Sequence, residues 1–370
     1  MATAPVGPRS NKRGESSLMR SDGPAVAVVG ATGAAGGTLV RVLGERAFPA
    51  SALVLYASSR SAGRHVSTYL GDVEVRELSG DVLRGADIVF FAAGAATSRR
   101  HAPAVAESGG IAVDKSSAYR MDPAVPLVVP EVNPGALEMH RGIVANPNCV
   151  AIPMSIVLAP LLRAYGLRHV TAATYQAASG AGLGLADELA AQTRDDAAGT
   201  SPTARVYPYV LHGNVVPGGW TMQGADTEEE VKVIAETRRV LDAPELLMSV
   251  TTVRVPVTVG HSAAVWVELD APADPDDVRA LLHESPGIVV VDDPATQRYP
   301  MPRAVAGSDD VQVGRIRRDA GRENGIALFF SADNLRKGAA TNAVQVAELL
   351  LHRTDAGTSP DRSGMPRVVH

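Results

Sequence analysis

The chain reads as an α/β protein, with a Rossmann-type doubly wound dinucleotide-binding domain first and an α+β catalytic and dimerisation domain after it. Three observations predict this. Strand-like and helical runs alternate from Pro24 to Asn148, the signature of a parallel sheet. The first strand-like run ends in a glycine-rich turn that opens a helix. Beyond Cys149 strand-like runs arrive in series with few helices between, which indicates a largely antiparallel second sheet.

The 370 residues exceed one typical domain, and a hydrophobic content of 45% can fill two cores. A formal net charge of -5 argues against nucleic acid as a partner. No apolar run reaches the roughly 18–20 residues that span a bilayer, so no membrane association is expected. A single cysteine excludes an internal disulfide framework and suits a reducing, cytoplasmic setting. The scattered histidines and lone thiol offer no metal-ligand cluster. Residues 1–22, polar and without an apolar stretch, read as a disordered extension and not as a secretory signal. Residues 354–370 read as a disordered tail. The expected division is 23–149 plus 334–353 for the dinucleotide domain and 150–333 for the catalytic one.

In chain order, Pro24 to Gly30 is a strand, Thr38 to Arg46 a helix and Leu53 to Ala57 the second strand. Between the first two lies Gly30-Ala31-Thr32-Gly33-Ala34-Ala35-Gly36, where glycines let backbone approach a pyrophosphate resting on a helix N-terminus. The second strand runs into Ser58-Ser59-Arg60-Ser61 and carries no acid for a ribose 2′-hydroxyl. Arg60 among hydroxyls suits a 2′-phosphate, so NADP is the expected cofactor. Strands follow at Asp87–Ala93, Ile111–Asp114 and Leu127–Pro130, with a helix over Ser98–Ser108.

Ile143 to Ala145 is a short strand, and Asn146-Pro147-Asn148-Cys149 turns it into a buried helix from Val150 to Leu162. A thiol at a helix N-terminus meets backbone N–H groups and the positive end of the macrodipole, which predicts a lowered pKa. His169–Ala177 is a strand leading through Ser179 and Gly180 into a helix from Leu183 to Arg194. The Gly/Pro/Ser-rich stretch 197–219 reads as irregular, and Asp226–Leu241 as a helix. Strands then run over Ser249–Val257, Ser262–Leu269, Ile288–Asp292, Val311–Arg317 and Ile326–Ser331. The last helix, about Lys337 to His352, has no later sheet to cover and is expected to return to the first domain. Arg254 and His261 stand at the ends of adjacent strands, and Gln176 precedes a glycine-rich turn. A thiolate, an imidazole and a nicotinamide together form the apparatus of an acylating aldehyde dehydrogenase.

These stretches resemble the aspartate-β-semialdehyde dehydrogenase family over about residues 25 to 352. The matching runs are the glycine turn, Ser58 to Gly63, Ser116 to Arg120, Val129 to Asn133, Asn146 to Cys149, Tyr175 to Gly180, Glu229 to Lys232, Arg254 with His261, and Asp333 to Ala340. The resemblance implies NADPH-dependent reductive dephosphorylation of L-aspartyl-4-phosphate by a homodimer, at the branch point toward lysine, methionine and threonine. By the same resemblance Cys149 is the nucleophile, His261 the acid/base and Gln176 the residue that orients the thioester. Arg120, Lys232 and Asn148 belong to substrate, the two cations on its phosphate. Arg254 pairs with the α-carboxylate and Glu229 with the α-ammonium. Ser179, Gly180 and Asn334 are placed beside the cofactor with Gly30, Thr32, Gly33, Ala34, Ala35, Gly36, Ser58, Arg60 and Ser61. Arg99 and Arg100 are competing cations for the phosphate. Val150, following the cysteine, departs from the small hydroxyl residue usual in the family. The alternatives are an N-acetyl-glutamyl-phosphate reductase-like enzyme, in which Glu229 would lose its purpose, and a non-catalytic NADP-binding sensor.

Overall fold

The computed structural model describes residues 23–80 and 82–356. The predicted disordered extension 1–22, and the tail beyond Ala356, lie outside the described residues.

The first sheet is assembled from β1 (Ala25–Val29), β2 (Ala52–Ala57), β3 (His65–Thr68), β4 (Gly71–Glu77), β5 (Ile88–Phe91), β6 (Ile111–Asp114) and β7 (Ile143–Ala145), with helices α1 (Ala34–Glu45) and α2 (Ala95–Glu107). Its order is β3-β4-β2-β1-β5-β6-β7. Every pairing is parallel except β3 with β4. β1 and β5 are apolar on both faces because helices cover both sides, so their residues read as continuous apolar runs. The strand order reverses around β1, which opens a crevice at the carboxyl ends of β1 and β5. β7 is parallel to β6, so the chain leaves β7 for the cysteine turn on that same side.

The second sheet is preceded by α3 (Ala151–Tyr165), whose residues Ala151 to Ala159 are all buried. The chain continues through β8 (Leu167–Gln176), α4 (Leu183–Ala197), the small hairpin β9 (Met222–Gln223) and β10 (Asp226–Thr227), then α5 (Glu228–Val240), β11 (Leu247–Arg254) and β12 (His261–Leu269). It ends with α6 (Pro275–His283), β13 (Ile288–Val290), α7 (Pro302–Val305), β14 (Val311–Arg318) and β15 (Gly325–Ala332). The order is β11-β8-β12-β15-β14-β13, antiparallel through its middle and parallel at both edges. One face carries Val170, Ala172, Val265, Val267, Leu328 and Phe330 into a core with Ile152 and Val157 of α3 and Val233 of α5. Alternate residues on the other face, Ala173, Tyr175, Ala264, Trp266 and Phe329, are only half-buried.

A π-turn, Arg336–Ala340, then leads into α8 (Thr341–Ala356). Ala343, Val344, Val346, Ala347 and Leu350 of α8 join Val26, Val28, Leu39 and Leu43 in the first core, so the last helix does return to the first sheet.

Several elements differ from the sequence pattern. The β3–β4 hairpin went unread because its strands are mostly exposed and polar, with no apolar stripe to betray them. Leu127–Pro130 forms only one bridge, Leu127 to Ala145, since Pro130 donates no backbone hydrogen bond and the chain turns there. α6 was missed, though Asp274 caps its amino end and Pro275 stands at its first position. α8 runs to Ala356, beyond the residue where a tail was expected to begin.

Candidate active site

The glycine turn fits a dinucleotide by exclusion of side chains. Gly30 has φ +86°, and a Cβ there would lie 2.8 Å from the Ala92 carbonyl. A Cβ at Gly36 would lie 2.0 Å from the Gly30 oxygen. Gly33 caps α1 with extended backbone. A cavity of about 520 Å³ at this turn is lined by Gly30, Thr32, Gly33, Ser58, Ala93 and Arg100, among others, with no carboxylate. Thr32 Oγ1 donates to Ser61 Oγ at 3.2 Å and ties the turn to the loop after β2. Arg60 is exposed in that loop and does not line the cavity, whereas Arg100 does. Arg100 thus faces the nucleotide side.

Gly33 and Ala92 also line a second cavity of about 310 Å³, with Ala34, Ala35, Lys115, Cys149, Ser179, Gly180 and Asn334. The lone thiol is therefore half-buried beside the glycine turn and not lost in apolar packing. Asn334 accepts the Gly260 N–H at 2.9 Å and donates to Ser179 Oγ at 3.0 Å, pinning two chain turns to the rim.

The thiol pKa runs against the sequence expectation. Burial, reinforced by the charge of Glu229, pushes it up to about 11, against the opposing pull of Lys115, Arg120 and Arg254. The helix start helps little because Asn148 already occupies it. Asn148 Oδ1 accepts the N–H of Val150 at 2.7 Å and of Ala151 at 3.4 Å. The Val150 amide is satisfied in this way although its side chain carries no hydroxyl.

The turn is held by α5. A capping box, Thr227 with Glu230, fixes the start of that helix. Glu229 Oε1 accepts from Asn148 Nδ2 at 3.0 Å and from Gln176 Nε2 at 3.2 Å. Two turns on, Glu236 accepts the Asn148 N–H at 2.5 Å and Arg120 Nη1 at 3.1 Å. Arg120 also donates Nε to the Asn146 carbonyl and Nη2 to the Lys115 carbonyl, so three protein acceptors already hold it at the turn. Lys232 is half-buried and pairs with Glu228 at 3.1 Å, on the helix that carries Glu229 but outside the hydrogen-bonded cluster around Asn148.

On the opposite wall, His261 Nδ1 accepts the Ala177 N–H at 3.0 Å, while Nε2 is buried without a partner among the described residues. Burial and the neighbouring charge of Arg254 hold this imidazole well below its usual value, so it is neutral near pH 7. Arg254 Nη1 donates to the Ala177 carbonyl at 2.7 Å, and its Nε has no partner among the described residues. Its guanidinium lies 4.6 Å from the Trp220 ring centroid and 6.0 Å from that of Tyr207. Gly180 separates the two side chains: a Cβ there would lie 2.9 Å from the imidazole and 3.0 Å from Arg254 Nη1.

Four contributors carry no site role in the sequence reading, which places Gly338 in the matching run Asp333 to Ala340 and Trp220 in an unusual Gly218-Gly219-Trp220 run read as a subunit contact. Glu236 lies seven residues after Glu229 on one helical stripe, a spacing that could have revealed it. Gly338 sits in the π-turn beneath the nucleophile, where a Cβ would be 3.0 Å from the Cys149 carbonyl oxygen. Asn342 donates to Asn146 Oδ1 at 2.8 Å and locks α8 to the turn. Trp220 comes from the irregular stretch before β9, and nothing local in the sequence ties it to Arg254.

Residues 25–140 match the model of the semialdehyde dehydrogenase NAD-binding domain, and residues 158–337 match the semialdehyde dehydrogenase dimerisation domain. Aspartate-semialdehyde dehydrogenase of Aquifex aeolicus (strain VF5) is 44% identical over 332 residues, covering 88% of this chain and 97% of the relative. The chain belongs to the aspartate-semialdehyde dehydrogenase family. The enzyme of that name from Bacillus subtilis (strain 168) is 43% identical over 334 residues, covering 88% of this chain and 96% of its own. The crystal structure of aspartate semialdehyde dehydrogenase II of Vibrio cholerae, complexed with ASA, superposes with a TM-score of 0.86 at 40% identity, covering 89% of this chain and 98% of that one. The Candida albicans aspartate semialdehyde dehydrogenase structure with NADP has a TM-score of 0.69 at 25% identity, covering 88% and 98%. This family member is accordingly an oxidoreductase with a Rossmann-type NAD(P)-binding domain and a dimerisation domain, and none of its described helices is long and apolar enough to cross a membrane.

Proposed function

We propose that this chain converts L-aspartyl-4-phosphate to L-aspartate-4-semialdehyde with NADPH, through a thioester on Cys149, in the route toward lysine, methionine and threonine. The observation that carries this reading is that Cys149 and Gly180 line one cavity beside the glycine turn, and that Gly180 lies against both the neutral His261 imidazole and the Arg254 guanidinium.

The steps follow from these groups. The Cys149 sulfur attacks the acyl carbon, the carbon–oxygen bond to phosphate breaks, and inorganic phosphate leaves near Arg120 and Lys232. Arg254 takes the α-carboxylate through its fork and Glu229 the α-ammonium, which fixes the acyl carbon over the sulfur. Gln176 orients the thioester. The glycine turn and Ser179, Gly180 and Asn334 would hold a nicotinamide cofactor, which when bound would supply the hydride that reduces the thioester carbon. His261, neutral and protonated on Nε2, acts as acid/base by sharing that proton in a hydrogen bond to the oxygen as charge builds there, and keeps it as the carbon–sulfur bond breaks and the aldehyde departs.

NADP is favoured over NAD because Arg100 lines a cavity with no carboxylate and Arg60 belongs to the loop that Ser61 ties to the glycine turn. The functional division falls at 23–149 with 334–353 for the cofactor and 150–333 for catalysis and dimerisation. Tyr175, Trp266 and Phe329 form an open face for a second copy, so we read a homodimer; a monomer in sedimentation at working concentration would overturn this. The lone thiol suits a reducing cytoplasm. Steady-state assays with phosphate and either aspartate semialdehyde or N-acetyl-glutamate semialdehyde test the substrate. Turnover of only the second would sink the reading.

A further inference from the structure

The cation that the proposed mechanism does not use is Lys115, directly after β6. It lines the same cavity as Cys149, Ser179 and Gly180. Its carbonyl is taken by Arg120, but its ammonium has no hydrogen-bond or ion-pair partner among the described residues. The carboxylates nearby are committed elsewhere. Asp114 accepts the Ser98 hydroxyl, the Ser116 N–H and the Ser116 hydroxyl. Glu229 is held by Asn148 and Gln176, and Glu236 by Asn148 and Arg120. A half-buried ammonium without a partner is costly. Its complement in this cavity is an anion, and the sulfur is the group there that can become one.

The charged and titratable groups that face Cys149 come from several elements. Lys115 follows β6, Arg120 lies in the loop beyond it, Glu229 is on α5 and Arg254 ends β11, while His261 at the start of β12 lies against Arg254 and Gly180. Arg120 and Arg254 both have protein acceptors. Lys115 is the one of the three cations whose side chain has no hydrogen-bond acceptor among the described residues. We infer that Lys115 is a positioning residue for the nucleophile, its ammonium serving as the counter-charge of the Cys149 thiolate. The sulfur's proton leaves to water through the open cavity, and Lys115 keeps its charge and forms no covalent bond. Burial lowers the Lys115 pKa and the sulfur is the largest influence opposing that, while among the three cations Lys115 acts most strongly on the sulfur.

The inference rests on Cys149 being the nucleophile, but its test does not depend on turnover. Iodoacetamide alkylation of the whole chain, without cofactor or substrate and at a fixed mildly alkaline pH, is followed by mass on the peptide holding the only cysteine. Removing a nearby opposite charge shifts a pKa by about 1–3 units. Because thiolate nucleophilicity rises with pKa by about half as much, Lys115→Met and Lys115→Gln should slow alkylation roughly 3- to 30-fold, and Lys115→Arg should keep most of the rate. Thermal melting verifies that each variant is folded, the glutamine variant serving where methionine is not tolerated. Unchanged alkylation in a folded Lys115→Gln or Lys115→Met protein would overturn the inference, including where the KM for phosphate rises, since that places Lys115 on substrate instead. A wild type that shows the lysine effect but forms no acyl-enzyme would sink the proposed reaction and leave this inference standing.

Discussion

The backbone N–H of Ala177 donates to Nδ1 of His261 at 3.0 Å, so the neutral ring must carry its proton on Nε2, the nitrogen without a protein partner. A proton added to Nδ1 would face that N–H and lose the bond. The backbone thereby fixes the tautomer in which His261 can give a proton to an oxygen in the cleft.

Burial first, and then Arg254, lower the His261 pKa, so the folded state resists protonation that the unfolded chain accepts from about its usual value of 6.5 downward. The unfolded state binds more protons in that window, so this contribution to stability is whole above pH 6.5 and lost as pH falls toward the folded value. The acid limb of kcat/KM assigned to His261 is therefore expected well below 6.5. A pH–rate profile with a His261-dependent limb at the ordinary value would contradict the burial argument.

Glu236 should matter although it touches no reacting atom. Removing one partner of a buried charge pair costs about 3–5 kcal/mol, so Glu236→Ala should be destabilised by that order in urea unfolding. Its Asn148 amide loses its acceptor and Arg120 one of three. Glu236→Gln, which still offers a carbonyl oxygen to Asn148, should recover part of the stability. Wild-type stability in the alanine variant would show that this network is incidental.

Arg254 presents a fork, and its guanidinium carbon lies over the Trp220 ring, 4.6 Å from the centroid. Arg254→Lys should chiefly raise the KM for the semialdehyde, because a point charge replaces a bidentate group. Trp220→Leu should raise the same KM roughly 2- to 30-fold, the equivalent of the about 0.5–2 kcal/mol of a cation–π contact. An effect of Trp220→Leu on kcat alone would place the ring elsewhere in the cycle.

Arg60 is exposed in the loop after β2, where its side chain has no hydrogen-bond or ion-pair partner among the described residues. Arg60→Ala should weaken NADPH by about 10-fold, the size of one charge-assisted contact of about 1.5 kcal/mol, and leave NADH use unchanged. Equal efficiencies for the two cofactors in the wild type would mean that neither Arg60 nor Arg100 reads the 2′-phosphate.

Much of this was legible in the chain because it is locally encoded. The Val26–Val29 run, the glycine turn and the apolar stripe of α8 each announce their place through periodicity and composition. Cys149, Gln176, Arg254 and His261 were found because they stand at strand ends. What stayed hidden depends on contacts far apart in sequence. The direction of the Cys149 pKa is set by burial and by Glu229, 80 residues on, which local helix-end reasoning cannot see. Trp220 reaches Arg254 only through the fold of an irregular stretch. The parallel edges of the second sheet arise because β11 and β13 join after helices rather than hairpins.

The most direct test is mass spectrometry of protein quenched while turning over aspartate semialdehyde and NADP with phosphate withheld. An acyl adduct confined to the peptide containing Cys149, absent from Cys149→Ala, is the result predicted. A competent wild type whose Cys149 peptide stays unmodified, under conditions where the step after acylation is blocked, would contradict a thioester on this sulfur.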